Sequence, residues 1–91
     1  KNSKALNAHS LTIKSNPVIQ SRLELNIQLE ETSDVQLLIA DIHRKILSKE
    51  YYKSIDEQTA IFDLSNYPSG MYVAKLITKH GTRDLMFSYL K

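Results

Sequence analysis

The 91-residue sequence contains no cysteine and no tryptophan, and it has only two glycines and two prolines. Without cysteine there are no disulfides, thiolate metal ligands or cysteine nucleophiles. Cysteine-free domains occur in every compartment, so this absence assigns no location. Gly70 and Gly81 lie eleven positions apart and cannot build the glycine-rich loop that cradles a phosphate, which excludes a nucleotide enzyme. No charge of one sign dominates: 12 basic and 10 acidic residues are interspersed and leave a net charge of +2. That is no electrostatic footprint for a nucleic-acid duplex, and no nucleic-acid partner is expected. No apolar run approaches the roughly 18 residues of a membrane-spanning helix, and no charged-then-apolar leader opens the chain. Membrane insertion is therefore not expected.

What is present is the composition of an ordinary globular domain, with 42% apolar and 24% charged residues. A chain this short buries only about 60–65% of its unfolded surface, which allows one core of modest stability. Residues 1–10, from Lys1 to Ser10, are polar and read as a linker from something larger. The folded domain is expected over residues 11–91.

Catalytic chemistry is sparse. Nucleophilic catalysis needs a hydroxyl beside an oriented base, but His9 falls in the polar tail and His43 and His80 fall at expected turns. No two histidines have the i,i+2 or i,i+4 spacing that sets imidazoles on one face for a metal. Glu30–Glu31 and Asp56–Glu57 are neighbours in sequence, and on a strand neighbours point to opposite faces. Asp34 and Asp41 lack the alternating oxygen ligands of a calcium loop. No enzymatic activity and no cofactor are expected. Tyr51, Tyr52, Tyr67, Tyr72 and Tyr89 raise a sugar-stacking face as an alternative, although tyrosine is also an ordinary strand residue whose ring covers a core edge.

Alternation carries the secondary structure. Leu11–Lys14 alternates before Asn16–Pro17 breaks it and predicts a short edge strand. Leu23, Leu25, Ile27 and Leu29 alternate with Arg22, Glu24, Asn26 and Gln28 and predict a second strand, and Glu30–Asp34 reads as a polar turn after it. From Val35 to Tyr52 two periods compete. Val35, Leu37 and Ile39 fit a strand, while Val35, Leu38, Ile39, Ile42 and Ile46 fit one face of a helix. A Ser33 or Asp34 cap and the absence of Gly and Pro favour the helix; β-branching at 35, 39, 42 and 46 favours the strand. Ala60, Phe62 and Leu64 alternate again. Tyr67-Pro68-Ser69-Gly70 then predicts a type I turn, with Pro68 at its second position and Gly70 at its fourth. Tyr72, Ala74 and Leu76 share one face of a strand over 71–78, which a turn at Lys79–Thr82 should pair with a last strand over 83–90.

The stretch Asp63-Leu64-Ser65-Asn66-Tyr67-Pro68-Ser69-Gly70-Met71-Tyr72 and the later Lys79-His80-Gly81-Thr82 resemble the type A C-terminal sorting domain of type IX secretion system cargo proteins in Bacteroidetes. Leu64, Ser69, Gly70, Tyr72, Gly81 and Lys91 occupy that family's motif places. Asn16-Pro17-Val18 is similar to the end of its opening motif and Val35–Asp41 to its central strand, followed by a tight turn before Lys45. The resemblance covers residues 11–91. It implies an all-β, immunoglobulin-like β-sandwich of about seven short antiparallel strands, with the contested segment as strands.

The resemblance also implies a non-catalytic signal. An upstream cargo domain in the same chain would pass through the periplasm to the outer-membrane surface or the extracellular space. A secretion translocon and a sortase would read the folded tag, with cleavage in the linker and coupling to lipopolysaccharide as further steps. The recognised residues would be Gly70, Met71, Tyr72 and Gly81 on one hairpin, and Phe87, Tyr89, Leu90 and Lys91 on the last strand. The edge of that strand is also expected to support a weak homodimer. An adhesion or carbohydrate-binding accessory module of a surface protein is the competing function.

Three departures from the family pattern carry expectations of their own. Arg44 stands where the family has Gly; a φ above zero there costs arginine on the order of 1 kcal/mol, so a looser turn is expected. Ser15 replaces a proline of the opening motif, and Ser88 replaces the first lysine of the terminal motif.

Overall fold

The computed structural model describes residues 9–91 and contains five strands and no helix among them. They are β1 (His9–Ile13), β2 (Arg22–Asp41), β3 (Ile46–Asp63), β4 (Gly70–Thr78) and β5 (Gly81–Tyr89). All named strands pair antiparallel. β2 is the spine. One side of it pairs with β3 along nearly its whole length; the other side pairs with β1 over Leu25–Leu29 and with β4 over Val35–Asp41. β5 then pairs with β4.

The strands number five by residue range, two of them long, where about seven short ones are expected. β2 and β3 run to 20 and 18 residues because the segment 30–34 does not turn. It carries neither Gly nor Pro, and its backbone stays extended through two register shifts, between Gln28 and Ser33 and between Ser33 and Val35. An extra residue in one strand bends it and deepens its twist without ending it. Asp34 and Ser54 mark the bend: the Ser54 N–H donates to Asp34 Oδ1 at 2.9 Å, and Ser54 takes a φ of 53°.

The helical alternative for 35–52 fails because its face would bury Ile42 and Ile46, which are 61% and 49% exposed. Val35, Leu37 and Ile39 point inward instead, at a period of two. They join Leu23, Leu25 and Ile27 from the other half of β2, Ala60 and Phe62 from the end of β3, Leu64 just after it, Ala74 and Leu76 from β4, and Phe87 from β5 in one continuous core.

Two turns differ from expectation. The hydrogen-bonded turn before β4 spans Leu64–Tyr67, with the Tyr67 N–H donating to the Leu64 carbonyl at 2.9 Å, three residues before the one Pro68 and Gly70 suggest. Asp63 Oδ1 accepts the Ser65 N–H at 2.9 Å and so starts the reversal earlier, a common use of Asp in turns. Gly70 opens β4 instead. The turn between β2 and β3 is tight, contrary to the looser one expected of Arg44. Arg44 adopts a φ of 69°, and its N–H donates to the Asp41 carbonyl at 3.0 Å. Asp41 Oδ1 also accepts the N–H groups of His43 and Lys45, at 2.8 and 2.9 Å. This is a type I turn followed by a left-handed residue, a common short hairpin connection.

Candidate recognition surface

Tyr72 lies at the centre of the β4–β5 hairpin. The alternation that buries Ala74 and Leu76 also turns its ring inward, where it meets Phe87 and Tyr89 from β5 and Tyr67 from the preceding turn. Centroid separations of 5.9, 6.4 and 6.2 Å fall in the range of favourable aromatic pairs. The Tyr72 hydroxyl donates to the Pro68 carbonyl, so the Pro68 segment serves the aromatic cluster while the turn forms upstream. Burial pushes the Tyr72 phenol above its ordinary range, and the carboxylate of Asp41, its cross-strand partner, adds to the shift. Tyr72 is therefore a neutral hydrogen-bond donor in the fold.

The residues singled out on the sequence separate into two groups. Tyr72, Phe87 and Tyr89 are buried, the last two completely. The Tyr89 hydroxyl shares a 2.6 Å hydrogen bond with Ser21 Oγ. A partner meeting the folded domain touches none of these rings. Gly70, Met71, Gly81, Leu90 and Lys91 are exposed. Gly81 adopts a φ of 134° with open space around its α-carbon, so the backbone of the β4–β5 turn, and not a close neighbour, calls for glycine there. Met71 faces outward opposite Ser88, whose hydroxyl donates to its sulfur at 3.4 Å. Leu90 is 51% exposed, and the Lys91 N–H donates to Ser69 Oγ at 2.8 Å.

Sequence reasoning missed the clasp around the end of β5. Val18 is buried and forms an isolated parallel bridge with Tyr89. The Val18 N–H donates to the Ser88 carbonyl at 2.8 Å, and the Leu90 N–H donates to the Val18 carbonyl at 2.9 Å. The Ser88 N–H reaches Asn16 Oδ1 at 3.0 Å. The edge expected to be free over Phe87–Lys91 is thus covered at Ser88–Leu90, with Val18 turned into the core beside β5 and the next residue, Ile19, left exposed. The signal available in the sequence was the Asn16-Pro17-Val18 motif, which says nothing by itself of the strand it meets.

Beside Met71 the outward face of β2, β4 and β5 holds a shallow groove of about 480 Å³, lined by Leu38, Ala40, Ile46, Val73 and Met86 and rimmed by Asp41, Arg44, Lys75 and Asp84. Its charges are of both signs and do not converge on a point. Among the described residues no three His, Asp or Glu side chains gather as metal ligands. His80 Nε2 lies 3.5 Å from Glu31 Oε1 at the surface. The tyrosines form no shared exposed platform: Tyr51 is exposed, Tyr52 and Tyr67 half-buried, and Tyr72 and Tyr89 buried.

No curated protein matches the chain at a significant level. The family described as the secretion system C-terminal sorting domain matches residues 16–85. The match takes in the Asn16–Val18 clasp, the central strand, Gly70, Met71, Tyr72 and Gly81, and it ends before Phe87. It spans most of the described fold, and the chain belongs to the secretion system C-terminal sorting domain family, the tags of type IX secretion.

Proposed function

We propose that this domain is a non-catalytic sorting signal that directs an attached upstream cargo protein across the outer membrane by the type IX system. The family match over residues 16–85 carries the reading. The geometry supports it, because the exposed residues of the motif are apolar or singly charged and form no pocket of converging acid and base groups. The cargo travels by way of the periplasm to the cell surface of a Bacteroidetes host. There a sortase removes the domain within residues 1–10, most of which lie outside the described residues, and joins the cargo to lipopolysaccharide.

The recognised surface is the exposed set Gly70, Met71, Gly81, Leu90 and Lys91, held in place by the buried Tyr72, Phe87 and Tyr89. An immunoglobulin-like sandwich is the finer description of the fold. Its support is that β2 and β3 each divide at the register break, so that the five strands supply seven paired segments around one core. A weak homodimer would use the outer edge of β3, which pairs with no described strand.

The test is surface export of a signal-peptide-bearing fluorescent reporter fused to residues 1–91 in a host with a working type IX system. Truncation after Arg83 is an ambiguous comparison, because it takes Phe87 and Tyr89 out of the core. The variants Met71→Glu and Leu90→Glu leave the core intact. Export of the intact fusion, with folded glutamate variants held in the periplasm, supports both the signal and the surface. Export of all three fusions retains the signal and rejects the surface. A folded intact fusion that stays in the periplasm overturns the reading.

A further inference from the structure

The clasp shows what the outer edge of β5 accepts. Ser88 and Leu90 turn their backbone groups away from β4, and these are the groups that Val18 and Asn16 satisfy. By the alternation of a strand, Met86 and Asp84 point their backbone groups the same way. No described strand pairs with them there. The present occupant is therefore short: one parallel bridge at Val18, one side-chain amide at Asn16, and one aliphatic side chain in the core. An unpaired edge is complementary to one thing, an extended backbone, and pockets for alternate side chains add selectivity.

We propose that the outer edge of β5 from Asp84 to Leu90 is a strand-accepting site for an extended segment of another polypeptide, and that Asn16–Val18 is its internal occupant. The incoming segment lies parallel to β5. It carries a branched aliphatic residue at the place of Val18 and a side-chain hydrogen-bond acceptor two residues earlier, where Asn16 stands. It displaces the clasp because it continues the pairing toward Met86 and Asp84, which the clasp does not reach. The end of β5 is thereby linked to the segment that follows β1: whatever pulls residues 16–18 away uncovers Ser88 and Leu90. This inference goes beyond the sorting reading, and its test requires no secretion.

The test is amide hydrogen exchange of the full 91-residue chain with an Asn16→Ala and Val18→Ala double variant, in the presence of a synthetic peptide of residues 14–20 (KSNPVIQ). In the folded variant the Ser88 and Leu90 amides should exchange at least about tenfold faster, while the Ala74 and Leu76 amides in β4 keep their protection, as expected of local opening. Adding the peptide should restore protection at Ser88 and Leu90, and a peptide with Asp in place of Val18 should not. Unchanged exchange at Ser88 and Leu90, or a folded variant that the native peptide does not protect, overturns the proposal. Should the double variant fail to fold, Asn16→Ala alone retains Val18 in the core and decides the matter. It should bind the labelled peptide more tightly than the natural chain does, and equal or absent binding to both overturns the proposal.

Discussion

Arg44 holds a left-handed backbone at a position where arginine gains nothing from it. The residue is exposed and forms no ion pair among the described residues, so its side chain does not offset the strain. Arg44→Gly should stabilise the domain by about 1 kcal/mol or somewhat less, since relief of the left-handed penalty is partly offset by the greater freedom of glycine in the unfolded chain. A urea titration showing a lower midpoint for Arg44→Gly would contradict this account of the turn. Asp41 and Asp63 act at neighbouring turns by one device, a carboxylate accepting backbone N–H groups. Hydrogen bonds from Lys45 to Asp41, and from Ser65 to Asp63, hold both carboxyl pKa values below the ordinary carboxylate value. A lowered folded-state pKa means that the ionised form binds the fold. The contribution is therefore fully present above the ordinary value near pH 4 and is lost as pH falls through the lower folded-state values. Asp41→Asn with Asp63→Asn should weaken the domain at pH 7 and flatten the acid limb of its stability curve, seen as a gap to the natural chain that narrows toward pH 2.

Strands decide more than their residues do singly. β5 alternates Met86, Phe87, Ser88 and Tyr89, and one step along the strand separates an exposed methionine from a fully buried phenylalanine. Phe87→Ala should therefore cost about 3–5 kcal/mol, a large share of what a domain of this size holds, whereas Met86→Ala should stay within about 0.5 kcal/mol. Chemical denaturation of the two variants checks the pair, and similar losses at both positions would be inconsistent with the register of β4 and β5. The strand beginning at Arg22, the shared face of Tyr72, Ala74 and Leu76 and the reversal at Lys79 are legible in the sequence, whereas the inward turn of Phe87 and Tyr89 on β5 is not. Nor is the continuation of β2 through Glu30–Asp34. Its polar residues resemble a turn because all but the buried Ser33 are exposed, but they form a bend between two regions of β2 that both pair with β3.

One core joins both halves of β2 and β3, so the molecule should unfold as a unit. Leu25→Ala in the half of β2 beside β1 and Leu76→Ala on β4 should each lower one common midpoint when tryptophan-free probes are compared, far-ultraviolet dichroism for the strands and near-ultraviolet tyrosine signal for the Tyr72 cluster. Two separate transitions would show that the bend at Asp34 and Ser54 divides the fold into independent parts. The sequence by itself determined the all-β class of the domain, many of its inward-facing residues and the motifs of its family. These are properties of composition, spacing and period, which are local. Local periodicity alone left Val35–Tyr52 open, since two periods fit the same residues; the strands that the family resemblance implies are the ones that burial and pairing with β4 select. Only the tertiary structure separated Met71, Leu90 and Lys91 at the surface from Tyr72, Phe87 and Tyr89 in the core. It also placed Val18 beside Tyr89, a contact between chain segments about seventy residues apart that no local pattern encodes, because backbone groups at a sheet edge take whichever strand the fold brings to them.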